Sequence, residues 1–378
     1  MVLTLFATKN MRIGIDCRLW NESGVGRYIR NLVHTLDLLD KKNEYVLFFL
    51  SKDLENAKVP VRFKKVSVDV PWHTLREQIV MPGIFMKENL DVLHVPYINV
   101  PLFYPRKLVI TIHDLIPLKF PNPKASKLPL PLYLIKLFFY YIILFIGIRK
   151  SFKILTVSKT AKEDILKTFK IRSNKVAVTY NFNLNLKIHS ISKDKENYLL
   201  YVGNAFPHKN LHRLIRAYEI FVSRLAGRGA KTPKLILVGK MDYFYEKLRD
   251  IIPLEMKAKI VFMGFCEEEK LEKLYRNSLA VIQPSLYEGF GYQLLEASFL
   301  GTMVVCSNIP VFKELASDTV LYFDPKDEED MASKLILVST MSLEDRLDYI
   351  ERSRVALSRF DPKQEIEKVL EVYTSYKI

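Results

Sequence analysis

Leu279-Ala-Val-Ile-Gln283-Pro-Ser-Leu-Tyr-Glu288-Gly-Phe-Gly-Tyr-Gln-Leu-Leu-Glu296-Ala297 reads as a buried strand, a glycine turn and a helix. The apolar run stops at Gln283-Pro284. Gly289 and Gly291 then open the backbone before a helical stretch that ends at Gly301. A short apolar run bounded by turn residues and followed by a helix is one step of a parallel sheet. On either side the chain repeats that step. Tyr198 to Val202, Leu235 to Val238, Lys259 to Met263 and Met303 to Cys306 are strand-like, with helical segments between them. The first half has the same form in Arg12 to Asp16, Tyr45 to Leu50, Asp91 to Val95, Leu108 to Ile112 and Lys153 to Val157. Tyr28 to Leu39 is helical, after a loop holding Gly24 and Gly26. Ser158 offers an N-cap for a helix through Phe169, and Thr160 with Glu163 offers a capping box one turn on.

Strands alternating with helices predict an α/β fold of two doubly wound parallel sheets, two Rossmann-like domains facing across a cleft. Ligands of such sheets lie beyond the carboxyl ends of the strands. The expected boundaries are 1–186, 187–361 and a C-terminal helix over 362–378 that packs back on the first domain. The polar stretch Lys187 to Lys195 is the expected linker.

A chain of 378 residues suits two domains of this kind, and 49% hydrophobic with 26% charged residues excludes disorder. Cys17, Cys266 and Cys306 are odd in number and far apart. They give neither a disulfide framework nor a zinc spacing and suit a cytoplasmic setting. Met1 to Asn10 lacks a basic n-region and is too short for a signal peptide. The net charge of +15 is concentrated: residues 105–175 hold fifteen Lys and Arg against three acids. Nucleic acid, anionic lipid or a phosphorylated substrate would each answer such charge. A basic nucleic-acid-binding protein is the rival reading, but no aromatic-interleaved RNA-binding motif is present, so no nucleic acid is expected.

Four places carry chemistry. In the opening stretch, amides at the start of the helix suit phosphate or sugar oxygens, Glu288 can accept from sugar hydroxyls, and Glu296 can grip a ribose. A lone Gly-x-Gly would be an ordinary turn. The second place is Tyr201-Val-Gly203-Asn-Ala-Phe-Pro-His208-Lys209-Asn210, where Lys209 can meet a diphosphate as a point charge. A single lysine is more commonly a solvated surface cation. The third is Thr111-Ile-His113-Asp114-Leu at a strand's carboxyl end, and a lone histidine there is more commonly structural than catalytic. The fourth is Gly24-Val-Gly26-Arg27, whose spacing falls short of a dinucleotide fingerprint. Glu288 and Lys209 both fall on loops outside a core, so substitution there is expected to spare the fold.

Together these stretches resemble family four of the retaining glycosyltransferases, which have the GT-B fold. The resemblance runs from about Arg12 to the last helix. Glu288 and Glu296 with seven residues between them, and Gly203 with Lys209-Asn210, are its specific parts. It implies that Glu288, Gly289, Phe290 and Gly291 hold the donor sugar and that Glu296 binds the ribose. It places Lys209 and Gly203 at the diphosphate, His113 near the donor sugar, and Gly24, Gly26 and Arg27 beside the phosphates and acceptor. Gly24-Val-Gly-Arg-Tyr28 with Thr-Ile-His113-Asp-Leu looks most like mannosyltransferase-like members that build surface polysaccharides. GDP-mannose or a UDP-sugar is then the donor, a glycan or lipid-linked glycan the acceptor, and no cofactor is needed. Many relatives carry Arg where His208 stands, which makes one diphosphate cation absent or pH-dependent. Tyr292 and Gln293 replace a small or apolar pair. A nucleotide-sugar epimerase on the same fold is the alternative. No Asp-x-Asp occurs, so metal-independent transfer is expected.

Leu128 to Ile148 is apolar apart from Lys136, with Lys119, Lys124, Lys127, Arg149, Lys150 and Lys153 around it. It reads either as a core helix or as a wedge lying on an anionic membrane, and the bracketing charge favours the wedge. On that reading the protein is peripheral on the inner face of the cell membrane.

Overall fold

The computed structural model describes residues 10–22, 24–98, 100–126, 128–182, 188–192, 195–227, 229 and 231–375. The N-terminal extension before Asn10, Lys127 and the linker positions 187, 193 and 194 lie outside the described residues. The chain divides into two compact units, Met1–Leu184 with Phe360–Ile378, and Asn185–Arg359.

The first unit runs β1 (Arg12–Asp16), α1 (Gly24–Leu39), β2 (Glu44–Leu50), α2 (Ser51–Leu54), β3 (Lys64–Val68), α3 (Leu75–Lys87), β4 (Val92–Val95), β5 (Leu108–Ile112), α4 (Ile116–Lys119), α5 (Leu130–Lys150), β6 (Lys153–Thr156), α6 (Lys159–Phe169) and β7 (Val176–Val178). Its strands form one parallel sheet in the order β3-β2-β1-β4-β5-β6-β7. The second unit runs β8 (Tyr198–Val202), α7 (Leu211–Ala226), β9 (Lys234–Val238), α8 (Tyr243–Asp250), β10 (Ile260–Gly264), α9 (Glu268–Asn277), β11 (Ala280–Gln283), α10 (Tyr292–Phe299), β12 (Met303–Ser307), α11 (Pro310–Ala316), β13 (Leu321–Phe323), α12 (Glu328–Thr340) and α13 (Leu343–Leu357). Its parallel order is β10-β9-β8-β11-β12-β13. The last helix, α14 (Pro362–Thr374), belongs to the first unit.

Central strands are apolar along their length because helices cover both faces; all of Leu108–Ile112 is buried. In α1, Ile29, Leu32, Val33 and Leu36 form a stripe at helical spacing that buries against β1 and β2. On the other face α3, α5 and α6 share a core with β4, β5 and β6. Helix α14 packs on the α1 side, with Ile366, Val369 and Tyr373 buried.

Some elements differ from expectation. Helix α1 begins at Gly24, so Gly24 and Gly26 are its first turn and not a preceding loop. Gly26 fits there because a Cβ would stand 2.5 Å from the Trp20 carbonyl oxygen. Ser158 caps α6 as expected, its side chain accepting from the Ala161 amide. Strands β3, β7 and β13 escaped the pattern. All three are sheet edges, and β3 carries exposed Lys64 and Lys65, which suits an unpaired edge.

Candidate active site

Each sheet reverses its strand order once, between β1 and β4 and between β8 and β11. Loops diverge at such a point and leave a crevice at the carboxyl ends of the strands. The expected site residues gather there, within each unit.

In the second unit β8 ends at Val202 and β11 at Gln283, side by side. Beyond β8 the chain passes Gly203 and a short turn over Pro207–Lys209, then enters α7. Beyond β11 it passes Pro284 and Ser285 to Glu288. Across this gap Lys209 Nζ donates to Glu288 Oε1 at 2.5 Å, and Ser285 Oγ donates to the same oxygen at 2.7 Å. Asn210 Nδ2 donates to the carbonyls of Pro284 and Pro325, and the Leu286 amide donates to the His208 carbonyl. These bonds fix the two loops together. The pair is buried, with side-chain exposures of 11% for Lys209 and 9% for Glu288. Both residues lie on the expected loops at the strand ends, but Glu288 is buried and Lys209 largely so, where a position outside the core was expected. Burial alone would push the Glu288 carboxyl up. The Lys209 charge and hydrogen bond, with help from His208 and Ser285, outweigh it and hold the carboxyl below its usual range.

Gly291 adopts φ +122, and a Cβ there would meet Phe312 at 2.7 Å, so glycine is required at the entrance of α10. Glu296 is buried on α10 and its Oε2 accepts from the Tyr275 hydroxyl at 2.8 Å. Gln293 Nε2 donates to the Val202 carbonyl at 3.3 Å, which ties the start of α10 to the end of β8. The Gly203 carbonyl accepts from Tyr245 at 2.8 Å. His208 is buried, and burial first, then the neighbouring Lys209, lowers its pKa to about 4. The ring is therefore neutral at pH 7.

In the first unit His113 follows β5, and its Nε2–H donates to the Pro96 carbonyl at 3.1 Å. Burial lowers its pKa to about 4, partly opposed by that bond. A neutral ring with its proton on Nε2 leaves Nδ1 as an acceptor. Tyr28 packs edge-on against the ring at 4.8 Å. Behind it runs a buried chain: Tyr373 of α14 bonds His94 Nδ1 at 2.7 Å, and His94 Nε2 bonds Thr111 at 2.8 Å. Thr111 also meets Tyr28 at 3.2 Å. At the end of β1, Arg18 is held between Asp16 at 2.6 Å and Glu77 at 2.5 Å, all three buried. Arg18 also donates to the Val70 carbonyl at 3.0 Å. Asp16 and Arg18, with Trp72, Pro96 and Tyr97, line a small recess at the switch point. Among the described residues, none beyond Gly24's own turn of α1 brings an atom within 4 Å of a would-be Cβ there.

Sequence reading brought out Lys209, Glu288, His113 and the glycines, but not the roles of Ser285, Asn210 and Tyr275 nor the Asp16-Arg18-Glu77 cluster. Asp16 and Arg18 stand directly after an apolar strand, which was a usable signal; Glu77 is too distant in sequence to be paired by eye.

Residues 185–356 match the family described as glycosyl transferases group 1, and residues 23–182 match glycosyltransferase family 4. The chain is 30% identical over 291 residues to the O-antigen chain mannosyltransferase RfbU of Salmonella typhimurium, covering 77% of this chain and 75% of that one. The chain belongs to the group 1 glycosyltransferases. The O-antigen chain mannosyltransferase B of Escherichia coli is 28% identical over 48% of this glycosyltransferase and 50% of its own length. Among solved structures, Anabaena HepE in complex with UDP and glucose superimposes with a TM-score of 0.71 at 17% identity, covering 97% of this chain and 100% of that chain. Both units thus carry the Rossmann-like sheet of GT-B glycosyltransferases. Among the described residues no group of three or more His, Cys, Asp or Glu side chains is placed to hold a metal ion.

Proposed function

We propose that this glycosyltransferase moves a hexose, mannose first among the choices, from a nucleoside diphosphate sugar to a glycan hydroxyl in surface polysaccharide synthesis, with retention of configuration. The observation that carries the reading is the Lys209–Glu288 pair at the β8/β11 switch point, beside the glycine-opened start of α10. Diphosphate oxygens would meet Lys209 and the positive end of the α10 dipole, where charge develops as the leaving group departs. Glu288 would exchange its lysine contact for sugar hydroxyls, and Glu296 would take the ribose. Mannose is favoured because the relatives at 30% and 28% identity are mannosyltransferases by name.

Retention without a protein nucleophile calls for attack on the face the leaving group vacates, with its phosphate oxygen taking the acceptor proton. Transfer without a metal is part of the proposal: the chain has no Asp-x-Asp, and its own cations and amides supply the compensating charge. No organic cofactor enters this chemistry. The test is a melting screen with GDP, UDP, ADP and dTDP, followed by transfer assays with the matching sugar donors, with and without EDTA. GDP is expected to raise the melting temperature most, and transfer from GDP-mannose to survive chelation. Stabilisation by none of the four would overturn the donor reading. Activity lost to EDTA and restored by manganese or magnesium would overturn the metal-independent one.

A further inference from the structure

Helix α5 has 21 residues with a mean hydropathy of 2.0, yet only Leu144, Gly147 and Ile148 are buried. A core helix of that composition would be covered on most sides. Here Phe138 is 61% exposed, Phe139 56%, Leu130 55% and Leu134 53%. At a rise of about 1.5 Å per residue, the twelve positions from Leu130 to Tyr141 make an apolar rod of about 18 Å, half-buried along the side of Tyr133, Leu137 and Tyr140 and exposed on the rest.

The last turns of α5 are fastened. Leu144 and Ile148 lie in the core beneath β5 and β6, and Gly147 lets the helix approach Val100 so closely that a Cβ would stand 2.5 Å from it. Lys153 then starts β6 inside the sheet. Those turns cannot leave the protein, and the remaining 18 Å is well short of the roughly 30 Å of a bilayer's hydrocarbon core. The rod can enter one leaflet but cannot cross.

Charge selects the occupant. Lys136 is exposed midway along the rod, Lys124 is exposed ahead of it, and Arg149 and Lys150 are exposed at its base. Arg149 lies over the Phe145 ring at 3.5 Å, and Lys150 donates to the Leu102 carbonyl. Neither contact neutralises charge. Among the described residues no carboxylate pairs with any of these four, whereas Lys119 is matched by Asp164. An apolar rod with unmatched cations at its foot suits a surface apolar within and anionic at its face. A long lysine can keep its stem in the apolar layer and its ammonium among headgroups.

We infer that the exposed two-thirds of α5 docks the first unit on an anionic lipid bilayer, inserting Phe138 and Phe139 into one leaflet while Lys124, Lys136, Arg149 and Lys150 meet lipid phosphates. The docking is independent of which sugar the enzyme transfers. Its test is flotation of the full chain with phosphatidylcholine vesicles, with and without phosphatidylglycerol, at low and high salt. Co-flotation is expected with the anionic vesicles at low salt and should weaken as salt rises. Phe138→Ser with Phe139→Ser should weaken it roughly ten-fold or more, and Lys124→Glu with Lys136→Glu should weaken it on anionic vesicles only. Both pairs are exposed, so their melting curves should match the wild type. The proposal falls if the wild type stays with the soluble fraction at low salt, if the serine pair floats as well as the wild type, or if neutral vesicles bind equally. It also falls if light scattering shows a dimer that the serine pair separates, because a second copy would then be the occupant of the rod.

Discussion

The Lys209–Glu288 contact decides what a mutation there can report. The pair is buried, so removing one partner strands the other's charge. Lys209→Ala should lower the stability of the second unit by about 3–5 kcal/mol in addition to abolishing turnover. Lost activity in that variant alone would confound chemistry with folding. Lys209→Met together with Glu288→Gln removes both charges at similar volume and should recover most of the stability while leaving turnover at background. Denaturant unfolding beside a transfer assay checks this. Recovered turnover in the double variant would remove the pair from the chemistry. The second residue-scale consequence concerns His113. Its pKa of about 4 keeps it neutral throughout the working range, so kcat/KM should show no acid limb near pH 6.5 arising from this ring. His113→Gln should be slow at every pH. A limb near 6.5 that vanishes in His113→Gln would contradict the buried, Pro96-bonded ring.

Two glycines at helix entrances make a contrast between elements. Gly291 is strained for any other residue and faces Phe312, so Gly291→Ala should cost about 1–3 kcal/mol and slow transfer by disturbing α10. Gly24 opens α1 into empty space, so Gly24→Ala should leave stability unchanged or raise it by up to about 1 kcal/mol. A melting comparison separates them, and equal losses would mean that the two entrances are built alike. The same contrast shows what the sequence disclosed. Central strands such as Leu108–Ile112 are buried at every position and, Thr111 apart, apolar, and were legible as such. Edge strands such as Lys64–Val68 answer to solvent on one side and were not. Glu288 and Lys209 could be picked out by motif. Their burial could not, because it depends on Asn210, Ser285 and Pro325 meeting from distant parts of the chain.

At the scale of the whole molecule, burial holds three histidines well below their unfolded value of 6.5: His94 at about 3, and His113 and His208 at about 4. Each favours the folded state fully above pH 6.5 and loses that contribution as pH falls from 6.5 toward its folded value, where the unfolded chain binds the extra proton. One such group gives a slope of about 1.4 kcal/mol per pH unit in that window. Two of the three lie in the first unit, so that unit should be the more acid-labile. Both tryptophans, Trp20 and Trp72, also lie there, so tryptophan fluorescence follows it alone. Between pH 7 and 5 the fluorescence transition in urea should move to lower denaturant by more than one histidine explains. A pH-independent midpoint would show that these rings are open to solvent.

Helix α14 is made after the second unit, yet its Tyr373 closes the His94-Thr111-Tyr28 chain inside the first. Between Leu184 and the arrival of α14 the ribosome must finish the whole second unit, nearly two hundred residues. At about 5–20 residues per second that is an interval on the order of 10–40 s. For that time the part of the α1 side that Ile366, Val369 and Tyr373 cover stays open, and the second unit, whose residues are contiguous, can complete first. A nascent chain of this enzyme therefore exposes an apolar seam for the interval in which holding chaperones act, and a premature stop shortly before Pro362 would leave that seam open permanently.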